Sequence, residues 1–150
     1  MSELKSRLRS DLNSAMKARD ELRTATLRMA LSALSMEEVS GKQARELSDD
    51  EVRKVLAREA KKRREAAEAF DGAGRPELAE RERAEGGVLD AYLPAQLDDQ
   101  ELAQLVRAAV AEAGASDAQQ LGALMKLVGP RVAGRADGRR VNDEVRRQLA

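Results

Sequence analysis

The chain contains no cysteine, no histidine and no tryptophan, and only one phenylalanine and one tyrosine. Without thiols or imidazoles there can be no disulfides, no thiolate nucleophiles, no imidazole bases and no zinc site built from nitrogen and sulfur ligands. Carboxylates alone could hold magnesium or calcium, but no Asx-rich, Gly-containing calcium loop occurs, so no metal and no cofactor is expected. The near absence of aromatics removes base-stacking platforms. It also leaves the core to Leu, Val, Met and Ala, a palette that favours helices over strands. No apolar run approaches the roughly 20 residues that span a bilayer. The amino-terminal MSELKSRLRSDL lacks the apolar stretch of a signal peptide, so the expected compartment is the cytoplasm. No phosphate loop of the GxxxxGK[ST] type and no GxGxxG fingerprint is present.

At 150 residues, 42% hydrophobic and 36% charged, the chain suits one compact unit or two small ones. Its net charge of zero conceals an uneven distribution. Residues 1–64 carry 16 basic and 11 acidic groups, residues 65–120 carry 4 and 13, and residues 121–150 carry 7 and 3. Local rather than total charge sets affinity for phosphate, so either basic segment suits nucleic acid. The run KKRR at 61–64 spans more than one helical turn and cannot form one face. It reads as a solvated, salt-bridged helix, with a phosphate-facing patch as the alternative.

Helical periodicity runs the length of the chain. Leu4, Leu8, Leu12, Ala15 and Met16 form a first stripe, and the chain jogs near Arg19–Asp20. Leu27, Ala30, Leu31 and Leu34 form a second, ending near Ser40–Gly41. Ser48 and Glu51 make a capping box before a third face of Val52, Val55, Leu56, Ala60, Ala67 and Phe70. DGAG at 71–74 stops that helix. Pro76 opens a fourth with Leu78, Val88, Leu89 and Tyr92, interrupted by Glu85. YLPAQLDDQEL is a hinge. The reading is all-α: an N-terminal helical domain over residues 1–93 and a C-terminal three-helix domain over 94–150.

In the second part, Asp98 caps a helix bearing Leu102, Leu105, Val106, Ala109 and Val110, which Gly114 ends. Ser116 and Gln119 suggest a further capping box before Leu121, Leu124, Met125 and Val128. GPRVAGRADG at 129–138 reads as a turn, and Val141, Val145 and Leu149 mark the last helix.

Carboxylates are the only plentiful acid–base groups, and pairs such as Glu37/Glu38 fall on polar faces. Serines have no histidine partner, so no catalytic residue is proposed. GRADGRRVN, residues 134–142, is the segment with most to explain. Gly134 can adopt a left-handed conformation, Asp137 can cap the last helix, Gly138 allows a tight approach to it, and Asn142 can tie down the loop. Arg139 and Arg140, however, fall in the first helical turn, where the macrodipole disfavours cations. A helix start flanked by arginines suits a phosphate. Capping is the simpler account, and phosphate binding stays open beside it.

The segment GALMKLVGPRVAGRADGRRVNDEVRRQL, residues 122–149, resembles the C-terminal signature of the GatB/YqeY family. Gly122, Met125, Lys126, Gly134, Arg135, Ala136, Asp137, Gly138, Val141 and Asn142 carry the likeness. TLRMALSAL at 26–34 resembles the family's arginine within an apolar helix, and YLPAQL at 92–97 its interdomain link. YqeY-like proteins are similar to the tail of the B subunit of the aspartyl/glutamyl-tRNA amidotransferase, and related modules are attached to some glutaminyl-tRNA synthetases. The resemblance implies an all-helical fold and tRNA, or another structured RNA, as partner. It does not imply amidotransferase activity, because the catalytic portion of that subunit has no counterpart here. The expected function is a non-catalytic, monomeric RNA-binding accessory to aminoacyl-tRNA metabolism. Lys126, Arg131, Arg135, Arg139 and Arg140 are the candidates for phosphate contact. The alternative is an adaptor for a synthetase, an amidotransferase or a ribosomal protein, docking through the acidic 65–120 segment.

Overall fold

A computed structural model describes every residue, Met1–Ala150. It is all-α: α1 (Glu3–Lys17), α2 (Glu21–Glu38), α3 (Asp49–Gly72), α4 (Pro76–Asp90), α5 (Asp99–Ala113), a 3₁₀ turn at Ala118–Gln120, α6 (Leu121–Val132) and α7 (Gly138–Leu149), with no strand. The chain divides into two compact units, Met1–Pro94 and Ala95–Ala150.

The helix starts follow from side-chain capping, which satisfies amides that a helix leaves without partners. Ser2, Asp20, Asp98 and Asp137 accept from the N–H groups of Lys5, Arg23, Glu101 and Arg139. Ser48 and Glu51 form the reciprocal box, at 3.2 Å in each direction. At the 3₁₀ turn that leads into α6 the cap lies one residue later than the sequence suggests, and α6 itself has no side-chain cap. Asp117, not Ser116, is the cap, and Gln120 returns the bond. The 3₁₀ turn there uses tighter i to i+3 bonding, which shifts the register.

In the first unit, Leu4, Leu8, Leu27, Leu34, Val52, Leu56, Leu89 and Tyr92 form the core. Three predicted core positions lie elsewhere. Leu78 is exposed and Ala79, 100° further round the helix, takes the buried place. Met16 is likewise exposed beside buried Ala15. Phe70 is only half-buried, at the last turn of α3. Glu85, which interrupts the apolar pattern of α4, faces Arg63 of α3 at 3.2 Å, with Glu82 at 3.8 Å from the same guanidinium. Around this pair, Lys61 turns to Glu65 and Lys62 to Glu59, so the basic run is divided among several carboxylates.

The connection from α1 to α2 is a Schellman motif: Asp20 N–H bonds Ala15 C=O at 3.0 Å and Arg19 N–H bonds Met16 C=O at 3.1 Å. The motif needs a left-handed residue, and Arg19 adopts it with φ 56°. A side chain in that conformation costs about 1 kcal/mol, which is why glycine is usual there.

In the second unit, α5, α6 and α7 surround Leu102, Val106, Leu124, Val128, Val145 and Leu149. Helix α6 is longer than expected and runs through Gly129 and Pro130 to Val132. Pro130 removes only the hydrogen bond to the Lys126 carbonyl. Burial of Val132 and the bond from Ala133 N–H to Gly129 C=O (3.1 Å) hold the final turn.

Candidate nucleic-acid interface

The turn between α6 and α7 is built by two successive left-handed residues, Ala133 (φ 50°) and Gly134 (φ 78°). They reverse the chain so that Ala136 drops into the core of the unit and Asp137 stands at the head of α7. The turn then grips the segment that precedes α5. Leu97 N–H donates to Arg135 C=O at 2.7 Å. Arg135 Nε donates to Ala95 C=O at 2.9 Å, and the Gln96 amide donates to Gly134 C=O at 3.3 Å. Arg140 Nη2 closes the clasp, reaching Leu97 C=O at 2.9 Å and Asp99 at 3.0 Å. Every one of these bonds joins residues 95–99 to residues 134–140, so the signature segment is the fastening of a three-helix unit.

This geometry sorts the candidate cations. Arg140 and Arg135 bond backbone carbonyls and serve the clasp, and Arg135 also lies 4.0 Å from Glu101. Arg131 pairs with Glu112 at 2.5 Å. Lys126 and Arg139 are exposed and make no ion pair or side-chain hydrogen bond. Three of the five are therefore engaged within the unit, and Lys126 and Arg139 are not. Lys126 belongs to the second turn of α6, with nothing tying it to the loop.

The structural residues also need correction. Gly134 has its positive φ, whereas Gly138 is an ordinary first helical residue with open space where a Cβ would stand. Asn142 does not tie down the loop. It accepts from Arg146 Nε at 2.7 Å, one turn along α7. The Asp137 carboxylate takes the Arg139 amide at 2.8 Å, so a protein anion already sits where a phosphate on this helix end would go.

One residue missing from the sequence reading stands out. Arg146 follows Arg139 by seven residues, which places both on one face of α7 about 10 Å apart along the axis. Arg146 is exposed and bonds only the neutral Asn142. The i to i+7 spacing was visible in the sequence, but the concentration of arginines nearer the turn obscured it. Beside this face, Arg147 pairs with Glu144 at 2.7 Å. Its hydrogen bond, helped by Gln148, lowers the Glu144 pKa. At the foot of the clasp, the Glu101 backbone N–H lowers the Asp98 pKa, with the charge of Arg140 adding a smaller effect.

The fold and this clasp define an all-helical chain of two units that ends in a three-helix unit fastened by a Gly-Arg-Ala-Asp-Gly turn. A family model for YqeY-like proteins matches residues 5–149, nearly the whole chain. The chain therefore belongs to the YqeY-like protein family. A search of curated proteins gives no match.

Proposed function

We propose that this chain is a non-catalytic RNA-binding accessory protein of aminoacyl-tRNA metabolism, acting in the cytoplasm as a monomer, with tRNA as its RNA. The observation that carries this reading is the pair Arg139 and Arg146, exposed on one face of α7 and unneutralised by carboxylates. Most other arginines of the chain face Asp or Glu. Lys126 adds a further exposed charge. With one Phe and one Tyr in the chain, the grip on RNA rests on backbone charge and shape rather than base stacking. The resemblance to the tail of a tRNA-dependent amidotransferase supplies the kind of RNA.

The carboxylates support a non-catalytic role. A general acid needs a raised pKa, and those that shift here, Glu51, Asp98 and Glu144, all shift down. The test is binding to total tRNA at several salt concentrations, with Arg139→Ala/Arg146→Ala beside the wild type. Each lost phosphate contact should lower the slope of log affinity against log salt by about 0.7–0.9. Absent binding by the wild type, or an unchanged slope in the variant, overturns the reading.

A second reading, a helical adaptor for a synthetase or amidotransferase, is favoured by the apolar side chains that α2 and its end leave in solvent: Met29, Met36 and Val39. The acidic 65–120 segment lends it less support, because Asp71, Glu80, Glu82 and Glu85 are engaged by Arg63, Arg81 and Arg83.

A further inference from the structure

Arg28, the arginine inside the apolar TLRMALSAL segment, has no part in the clasp or in the α7 face. It lines an open groove of the first unit together with Arg19, Arg81, Thr24, Glu21 and Met16. Three arginines and one carboxylate residue, Glu21, line it. Arg81 is shared with Glu85 at 3.1 Å. Arg28 makes one side-chain contact, from Nη2 to the Met16 sulfur at 3.2 Å, and a thioether is a weak acceptor. Arg19 makes none. Elsewhere in this unit Arg45, Arg53, Arg58, Arg63 and Arg83 face carboxylates, whereas Arg19 and Arg28 share this groove with no carboxylate bonded to either.

Arg19 supplies an independent observation. It stands at the left-handed position of the Schellman motif, where the same motif at Gly74 and Gly114 uses glycine. Ala133 is the other non-glycine residue with positive φ, and Gly134 follows it directly. At Arg19 no glycine shares the strain, so a long cationic side chain is kept at a backbone site that opposes it. Strain retained in this way commonly marks a position whose side chain has a use.

We infer that this groove is an oxyanion site that takes a phosphate group, gripped by Arg19 and Arg28 with Arg81 and the Thr24 hydroxyl beside them. The planar fork of each guanidinium matches two phosphate oxygens. Counting Glu21 of the lining and Glu85 on Arg81, the groove keeps one positive charge in excess, the sign that attracts a phosphate. The site is solvent-exposed, so its affinity is salt-sensitive. The phosphate comes either from a small phosphorylated molecule or from an RNA backbone. The groove belongs to the first unit and α7 to the second, and the inference does not depend on the role given to α7.

The experiment is a ¹⁵N NMR titration of the full chain with inorganic phosphate, matched against sodium chloride of equal ionic strength. The Arg19 and Arg28 Nε–H signals and the Thr24 amide report. Saturable shifts in phosphate alone are expected, with affinity about tenfold weaker or more in Arg19→Gly/Arg28→Gln. Because Arg19→Gly relieves the left-handed strain, that single variant should bind more weakly while its Tm rises by about 4 °C. This opposition separates lost binding from lost fold. A second arm adds a short RNA without terminal phosphates. If it competes at the same signals, backbone phosphate is the ligand. If phosphate saturates the groove and RNA leaves the signals unmoved, the ligand is a small phosphorylated molecule. Shifts no larger than those in chloride, or unchanged affinity in the double variant, overturn the inference. Arg139→Ala/Arg146→Ala should leave these signals unaffected, so failure here and failure of tRNA binding are told apart.

Discussion

Arg139 and Arg140 are neighbours in sequence, yet the clasp makes them opposites, and truncating each should reveal it. Arg140→Ala removes two hydrogen bonds from one guanidinium nitrogen. The bond to Leu97 C=O is partly buried at 2.9 Å, and a hydrogen bond to a charged group contributes about 1.5–3 kcal/mol. The bond to Asp99 reaches a fully exposed carboxylate and adds little, because solvent screens it. The expected loss is about 2 kcal/mol. Arg139→Ala removes an exposed cation from the first turn of α7, where the macrodipole opposes it, and should change stability by no more than a few tenths of a kcal/mol, upward if at all. Hydrogen exchange at the Leu97 amide is the local assay, because that N–H is held by Arg135 C=O inside the clasp. A loss of 2 kcal/mol corresponds to exchange about 30-fold faster in Arg140→Ala. Arg139→Ala should exchange as the wild type does. Equal rates in the two variants would mean that Arg140 fastens nothing and that the clasp is held by its backbone bonds alone.

Two glycines of the same turn should respond in opposite directions in urea unfolding. Gly134→Ala forces a Cβ onto a residue at φ 78° and should destabilise by about 1 kcal/mol, whereas Gly138→Ala enters open space in a helical conformation and should stabilise by about 0.5 kcal/mol. In the first unit, Tyr92 donates its hydroxyl to Asp11, and burial followed by this bond raises its pKa to about 12. The native protein therefore keeps a proton that the unfolded chain releases near pH 10. Stability should fall as pH rises from about 10 to 12, and Tyr92→Phe should abolish this dependence while losing about 1–2 kcal/mol at neutral pH, read by urea unfolding across pH. Lys5 is 7% exposed and holds Glu38 at 2.7 Å between α1 and α2. Lys5→Met strands that carboxylate and should lower stability by about 1–2 kcal/mol, with Lys5→Met/Glu38→Leu recovering most of the loss.

Much of the fold was legible because its causes are local. Ser48 with Glu51, Asp98 with Glu101, Pro76 at a first turn and Gly114 at a helix end all act within four residues, the range that a sequence displays. The stripe of leucines and valines in each helix states which face is inward. The same reasoning failed where two accounts compete within that range, as at Ser116 and Asp117, where only the 3₁₀ turn selects the cap. At Leu78 and Ala79, packing between helices, not apolarity, decided which side chain faces the core. Pro130 also misled: it normally ends a helix, but here burial of Val132 outweighs one missing hydrogen bond.

The candidate site was less legible, for a physical reason. Composition and periodicity by themselves determined an all-helical chain without thiol, imidazole or phosphate-loop chemistry, and identified the Gly-Arg-Ala-Asp-Gly turn as distinctive. They could not determine what each arginine touches, because a guanidinium on a long stem reaches partners dozens of residues away. Tertiary structure decided that Arg135 and Arg140 spend their donors on the carbonyls of Ala95 and Leu97, that Arg131 is held by Glu112, and that Arg139 and Arg146 face solvent. It also brought Arg19, Arg28 and Arg81 to one groove from three separate helices or their ends. Charge is written along the sequence, but whether a charge is neutralised depends on which side chains the fold brings within a few ångströms.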